Sequence, residues 1–352
     1  MLVNSLSFDR LCMRDVPLAA HTSYQIGGNA DYFAMPETVE QLQALIQGCS
    51  RIGMPYYIFG YGSNILFPDK PKQGKLFISF KKLIDTNIVV SNGEMKIFLA
   101  AGIPLAYLAL VGISCNYDKL LFTHLLPGSI GAGIYINAKC YEDQMSGIID
   151  TVYYIDTANG DSQIQSISVN DCQFAYKRSI FQGKPWIIVG ADFKILMPNE
   201  LDEDLLLKMK KDLVIDSELA AKTDITKLDG FYQYFKNSAA NLCNQIGRKL
   251  PEQLIGIDTD RNNKYHFSYP SCGSVFKNNY DYGTPMGVII DQLQLKGKEH
   301  GGAMISPYHG NFIINCNHAK ASDVQYLIQL VQEAVNNKLG FVPEPEVVII
   351  SE

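Results

Sequence analysis

The stretch Leu126 to Tyr141, LPGSIGAGIYINAKCY, limits what this chain can fold into more than any other. Behind Pro127 it carries Gly128, Ser129, Gly131, Ala132 and Gly133, and an alternating apolar run follows at once. Glycine removes the side chains that hold backbone and ligand apart and admits positive φ, so successive N–H groups are expected to converge on an anion here. The spacing G-S-I-G-A-G matches neither the dinucleotide fingerprint G-x-G-x-x-G nor the phosphate loop G-x-x-x-x-G-K-[S/T]. A plain turn between two strands is the competing reading of such a cluster. A second stretch, Tyr57 to Leu66 (YIFGYGSNIL), sets Gly60, Tyr61, Gly62, Ser63 and Asn64 between two apolar runs. Two such loops without a nucleotide-triphosphatase signature point to one long diphosphate cofactor gripped from two sides.

Together GYGSN and LPGSIGAGIYINA resemble the flavin-binding half of the UDP-N-acetylenolpyruvoylglucosamine reductases, whose FAD domain is of the vanillyl-alcohol-oxidase type. The resemblance implies an α+β fold, with a two-lobed FAD-binding domain of that type and a smaller α/β C-terminal substrate-binding domain. It implies FAD as cofactor, held by Gly60, Tyr61, Gly62, Ser63 and Asn64 and by Pro127, Gly128, Ser129, Gly131, Ala132, Gly133 and Asn137. NADPH is the implied reductant, and it has no motif of its own in the chain.

With 352 residues there is chain enough for two or three domains. No apolar run reaches the ~18 residues that span a bilayer, and MLVNSLSFDRLCMRD lacks the basic-then-apolar order of a secretory signal. A cytoplasmic protein without a membrane partner is expected. The formal net charge of −6 argues against bulk nucleic-acid affinity, while a local basic cluster remains free to meet an anionic substrate. Eight cysteines and six histidines are scattered with no C-x-x-C and no H-x-x-x-H, so reduced thiols and no metal centre are expected. Nothing in the pattern bears on oligomeric state.

Along the chain, residues 1–85 read as a first FAD-binding lobe. It has the Gly-Gly turn at HTSYQIGGNAD, a helix over Pro36 to Gln47, and strands at Tyr56 to Phe59 and Leu76 to Phe80. Residues 86–200 read as a strand-rich second lobe. Hairpin turns are expected there at Asn92-Gly93 and Asn159-Gly160, and a helix over Pro104 to Val111. Residues 201–263 read as a helical insertion or linker containing LLLKMKKDL and FYQYFKNSAANLCNQI; so much chain is rarely structureless. Residues 264–352 form the substrate domain, with an amphipathic helix over Ala321 to Lys338, a stop at Gly340 and a closing strand in EPEVVII.

The remaining motifs of the resemblance supply the chemistry. FAYKRSIF corresponds to the family's Y-R-x-S, with Tyr176 and Ser179 in place and Lys177 where the family carries arginine. Lysine is a point charge where arginine is a bidentate fork, and Arg178 next door faces the other way in an extended segment. The family patterns G-S-x-F-K-N, H-x-N-F-x-x-N and E-x-E-V are matched by GSVFKN, HGNFIIN and EPEV. By resemblance Ser274 donates a proton, Lys177 stabilises the substrate carboxylate, and Glu346, with Glu344 as rival, polarises or protonates the intermediate. Tyr176, Arg178, Lys277, Asn278, His309, Asn311 and Asn315 are the implied contacts to a UDP-sugar enolpyruvyl ether. The form SCGSVFK resembles the shorter class of these reductases. Two other readings share the FAD loops: an FAD-dependent alcohol or sugar oxidase, and a flavin-binding protein without turnover, the latter favoured by Lys177. The effect of Lys139 and Cys140, which stand where the family has Ala-Gly, is left open.

Overall fold

A computed structural model of the chain describes residues 8–91, 94–158, 163–196, 212, 217–220, 222–224 and 227–351. The turns expected at Asn92-Gly93 and Asn159-Gly160 lie outside the described residues, as does LLLKMKKDL apart from Asp212.

The first sheet runs in the order Met13–Pro17, Asn29–Ala34, Leu76–Ser79, Tyr56–Phe59. Its first pair is antiparallel, while Leu76–Ser79 lies parallel to both of its neighbours. Parallel pairing needs a crossover, and the helix Val39–Ile52 supplies it, burying Leu42, Leu45 and Ile46 at helical spacing. This helix starts and ends later than its apolar pattern suggested. Thr38 caps it, its Oγ1 accepting from Gln41 N at 3.3 Å, and Gly53 ends it in the left-handed region at φ 63°.

The second sheet is fully antiparallel, ordered Ile164–Ser168, Ile149–Asp156, Trp186–Leu196, Glu94–Ala100, Thr86–Ser91. Against it packs the largest core, which draws Leu108, Val111, Phe122 and Phe193 together with Phe231 and Phe235. The last two come from Leu228–Gln245, the helix formed by FYQYFKNSAANLCNQI, and a further helix, Glu252–Asn263, adds Leu254 and Ile257. A third sheet, Ser271–Ser274, Phe312–Asn315, Ala303–Ile305, Glu299–His300, carries its own core beneath the helix Ala321–Leu339. That helix ends at Gly340, φ 77°. One mixed and two antiparallel sheets with helices between them give the α+β class.

Two elements depart from the pattern reading for one reason. The helix expected from Pro104 starts only at Tyr107, because the backbone before it is used elsewhere. Leu105 N donates to Gly128 O (2.9 Å), Ile130 N to Ile103 O (2.8 Å) and Gly131 N to Ala101 O (2.9 Å). Held this way, the run after the glycines becomes the short helix Ile130–Tyr135 rather than a strand, capped by Ser129, whose Oγ accepts from Ala132 N. No helix among the described residues is long and apolar enough to cross a membrane.

Asp69, from the segment after the first glycine loop, caps the long C-terminal helix from outside it. Its carboxylate accepts from Ala321 N (2.8 Å) and Ser322 N (3.2 Å). Replacing it with alanine is expected to cost about 1 kcal/mol. The check is a lower urea midpoint at unchanged slope, with Asp69→Asn recovering most of the loss because it keeps an acceptor.

Candidate active site

The two glycine loops meet each other. A Cβ placed on Gly60 would stand 2.3 Å from Ser129 Oγ, and one on Gly128 3.2 Å from Ser63 Oγ. Gly62 sits at φ 66° and Gly128 at φ 128°, conformations that side chains resist. Thr22 Oγ1 donates to Gly62 O (2.7 Å) and Ser79 Oγ to Gly60 O (2.9 Å), so the first loop is pinned from behind. The N–H groups of Gly62, Ser63 and Asn64 have no protein acceptor among the described residues. In the second loop the N–H groups of Gly128 and Ser129 likewise have no protein acceptor among the described residues, while the next four are used within the fold. Those of Ile130, Gly131 and Gly133 donate to Ile103, Ala101 and Ser129 carbonyls, and that of Ala132 to Ser129 Oγ. Gly131 and Gly133 serve close packing instead, since a Cβ on either would come within 2.8 Å of Ala101 or Leu105.

Between the loops opens a cavity of about 770 Å³. Its wall includes Gly60 through Asn64, Pro127, Gly128, Ser129, Gly131, Ala132 and Gly133, and also Tyr176, Lys177, Ser274, Asn278, His309 and Glu346. The motifs of both halves of the chain therefore face one space. A volume of this order suits a large bound cofactor with a ligand beside it, and the N–H groups of Gly62, Ser63 and Asn64 on its wall fit the diphosphate of FAD.

Backbone pairing brings the two catalytic candidates of the C-terminal part together. Ser274 ends the strand Ser271–Ser274, after Gly273 at φ 71°. The next residue, Val275, accepts from Glu346 N at 2.7 Å, and Lys277 N donates to Glu344 O at 3.0 Å. Downstream, Val348–Ile349 pairs parallel to Ile65–Leu66, and Asn64 Nδ2 donates to Glu346 O at 3.1 Å. Glu346 is thus tied to the serine strand on one side and to the first glycine loop on the other.

Lys177 reaches the same point from the segment before Trp186–Leu196, with its Nζ 2.5 Å from Glu346 Oε1 and the two side chains only 13% and 15% exposed. The segment around it is a tight turn, not the extended segment expected. Ala175 and Arg178 exchange both backbone hydrogen bonds (3.0 and 3.1 Å), with Lys177 at φ 54°. The two cations still diverge, Arg178 being exposed and absent from the cavity wall. Asn137, expected on the cofactor, is buried behind the turn and positions it. Its Nδ2 donates to Ala175 O (3.0 Å), and its Oδ1 accepts from Ser146 N (3.0 Å). Ser179 anchors the far side by donating to Tyr135 O at 2.6 Å. Tyr176 Oη accepts from Asn278 N at 3.4 Å, and burial, with the charge of Glu346 adding, pushes its phenol up.

Besides Arg178, three more of the expected substrate contacts lie off the cavity wall. Lys277 pairs with Glu344, 70% exposed, which also removes Glu344 as rival to Glu346 in the cavity. The amide of Asn311 clamps Phe276, accepting from its N (2.9 Å) and donating to its O (2.8 Å). Asn315 donates to Tyr24 O (3.1 Å) and accepts from Ala319 N (2.9 Å). One donor and one acceptor of each amide are held by backbone, away from the cavity wall.

The cavity also takes Lys139, Cys140, Tyr141, Arg261 and His266, none of which sequence reasoning made a site residue. Arg261 is 8% exposed and donates to Cys140 Sγ at 3.4 Å. It comes from the helix Glu252–Asn263, whose sequence shows only one cation among polar neighbours; its position decides its role. Burial pushes His266 down to about 2, with Arg261 adding to the shift, and His309 down to about 4, with Lys264 adding, so both imidazoles are neutral at physiological pH. The charged side chains on the wall are then Lys139, Lys177 and Arg261 against Glu346, a balance that favours an anionic ligand.

Comparison with known proteins agrees with this geometry. Residues 264–350 match the model of the UDP-N-acetylenolpyruvoylglucosamine reductase C-terminal domain, and residues 30–168 match that of an FAD binding domain. The chain is 32% identical to UDP-N-acetylenolpyruvoylglucosamine reductase of Treponema denticola, over 96% of this chain and 92% of the relative. It is 30% identical to that of a Synechococcus species, over 99% of this chain and 95% of the relative. In structure it resembles UDP-N-acetylenolpyruvylglucosamine reductase from Thermus caldophilus, with a TM-score of 0.65 at 22% identity, over 97% of this chain and 99% of the other. The chain belongs to the UDP-N-acetylenolpyruvoylglucosamine reductase family and is an FAD-containing oxidoreductase.

Proposed function

We propose that the protein reduces the enolpyruvyl ether of UDP-N-acetylglucosamine enolpyruvate to UDP-N-acetylmuramate, with NADPH as reductant. The observation that carries this reading is the Lys177–Glu346 pair, joined in one cavity with Ser274 and both glycine loops. FAD, when bound, supplies hydride transfer from the nicotinamide to the alkene carbon distant from the carboxylate.

The protein's residues have three tasks. Negative charge develops on the carboxylate as the alkene is reduced, and a cation withdrawn from water stabilises it most where it already stands in place. Lys177 meets that condition, oriented by Asn137 behind its turn and by Glu346 in front. A proton must then reach the carbon next to the carboxylate, and Ser274 is the hydroxyl on the cavity wall at the strand end nearest Glu346 in the backbone pairing. Serine is a weak acid in water, so its proton moves because the carbon it meets is strongly basic. The net positive wall draws the diphosphate of the UDP-sugar and that of the cofactor. NADPH, having no motif of its own, is read as entering the same cavity before the substrate.

The test is anaerobic stopped-flow absorbance of the purified protein, first with NADPH and then with the enolpyruvyl substrate. Bleaching by NADPH with rapid return on substrate is expected; bleaching that only oxygen reverses would move the protein to the oxidase reading. Ser274→Ala should leave the NADPH step intact and slow the return on the order of 10²-fold or more, and equal damage to both steps would sink its role as proton donor. Gly60→Ala, whose new methyl would meet Ser129 Oγ, should lower the FAD content of the purified protein, read from its flavin-to-protein absorbance ratio.

A further inference from the structure

We propose that Cys140 is a modification site. Its thiol exchanges with small disulfides that carry carboxylates, drawn to it by Arg261 and Lys139, and the mixed disulfide so formed closes the cavity to ligand.

Arg261 is a cation without a counter-charge. A guanidinium keeps its charge in any protein, and one withdrawn from water ordinarily stands against a carboxylate. Arg261 is 8% exposed, yet no carboxylate pairs with it among the described residues. On its own helix Asp258 is taken by Lys236 at 2.9 Å, and Asp260 by Lys264 at 2.6 Å and by Tyr141 Oη at 3.1 Å. The Arg261 Nε has no hydrogen-bond partner. Among the described residues the side chain's one polar contact is from Nη2 to Cys140 Sγ, at 3.4 Å. An anion supplied through the cavity completes this arrangement, and it arrives beside a sulfur nucleophile.

Cys140 is half-buried on the cavity wall, and Lys139, its neighbour in the short strand Lys139–Cys140, lies on the same wall. Cys272, the other thiol there, is closed to such chemistry. It is buried, donates to Ile65 O at 3.1 Å, and is pushed up to about 12 by burial. The remaining charges around Cys140 do not cancel the two cations. Glu142 and Asp143, which follow it, are exposed, and solvent and salt screen them. Glu346 is held by Lys177, and His266 and His309 are neutral. The wall thus favours an anionic disulfide over a cationic one, and the Arg261 N–H holds the negative charge on sulfur as exchange proceeds.

In the exchange the Cys140 proton goes to solvent and its sulfur bonds to one sulfur of the disulfide. The incoming S–S bond breaks, and the other half leaves as a thiolate. Cys140 is oxidised and the leaving sulfur reduced, so the disulfide itself is the oxidant. A thiol in excess reverses the step.

The experiment treats the FAD-loaded protein with glutathione disulfide, which is anionic, or with cystamine, which is a cationic disulfide. Peptide mass spectrometry reads the rate at each cysteine, divided by that of a free neutral thiol under the same conditions. Cys140 should favour glutathione disulfide on the order of tenfold or more. Cys316, exposed with Glu299 beside it, should not share that preference. Arg261→Gln should reduce the preference at Cys140. Turnover with NADPH should fall in step with Cys140 modification and return on dithiothreitol, while turnover of Cys140→Ala should not respond to the disulfide. Equal rates with the two disulfides, or an unmodified Cys140 beside a modified Cys316, would overturn the site. Full modification of Cys140 with turnover intact would overturn the closing of the cavity. The rate ratio is read without turnover, so it decides the site even where the reductase reading fails.

Discussion

The position of one segment, residues 346–349, underlies the whole site. It bonds to Val275 of the serine strand through Glu346 N and runs parallel to Ile65–Leu66 beyond the first glycine loop. Backbone hydrogen bonds are individually modest, but here they connect three stretches that lie far apart in sequence. Buried links between the same regions reinforce them: Ser23 Oγ donates to Ser271 O at 2.7 Å and Tyr24 Oη to Ile313 O at 2.9 Å. A carboxylate held this way has little freedom to follow its partner, so the ion pair with Lys177 is positioned before any ligand arrives.

That pair is a small net source of stability. Two charges withdrawn from water repay much of their attraction in lost hydration, whereas removing one partner from such a pair costs about 3–5 kcal/mol. The backbone around it is strained in keeping with this. Asn137, Tyr141 and Lys177 all adopt positive φ without being glycine, at 45°, 55° and 54°. Each such conformation costs roughly 1–2 kcal/mol, and it persists because the turn and strand pairs around it leave the chain no alternative.

The helices Leu228–Gln245 and Glu252–Asn263 do more than connect. Their apolar faces are continuous with the core of the second sheet, and the second of them carries Arg261 through to the cavity. A stretch that reads as an addition to the fold is thus also part of the cavity wall.

The local elements were legible from periodicity and punctuation. The helix at Ala321–Leu339 with its stop at Gly340 and the strands Tyr56–Phe59 and Leu76–Ser79 all follow from patterns within a single segment. The glycine loops were legible for the same reason, since a glycine's freedom belongs to the residue itself. What failed was local inference where a distant strand competes. The helix after Pro104 starts late and the run after Gly133 coils because residues 101–105 pair with residues 128–131. Asn311 and Asn315 carry the residue types of a ligand contact, yet their amides hold the backbone at Phe276, Tyr24 and Ala319. By itself the sequence determined which side chains carry a charge or a hydroxyl, Lys177, Ser274 and Glu346 among them, because those groups belong to the residue. Only the tertiary structure decided that Glu346 and not Glu344 meets Lys177, and that Arg261 faces the same space. Those facts are distances between segments joined by long-range pairing, which no single segment encodes.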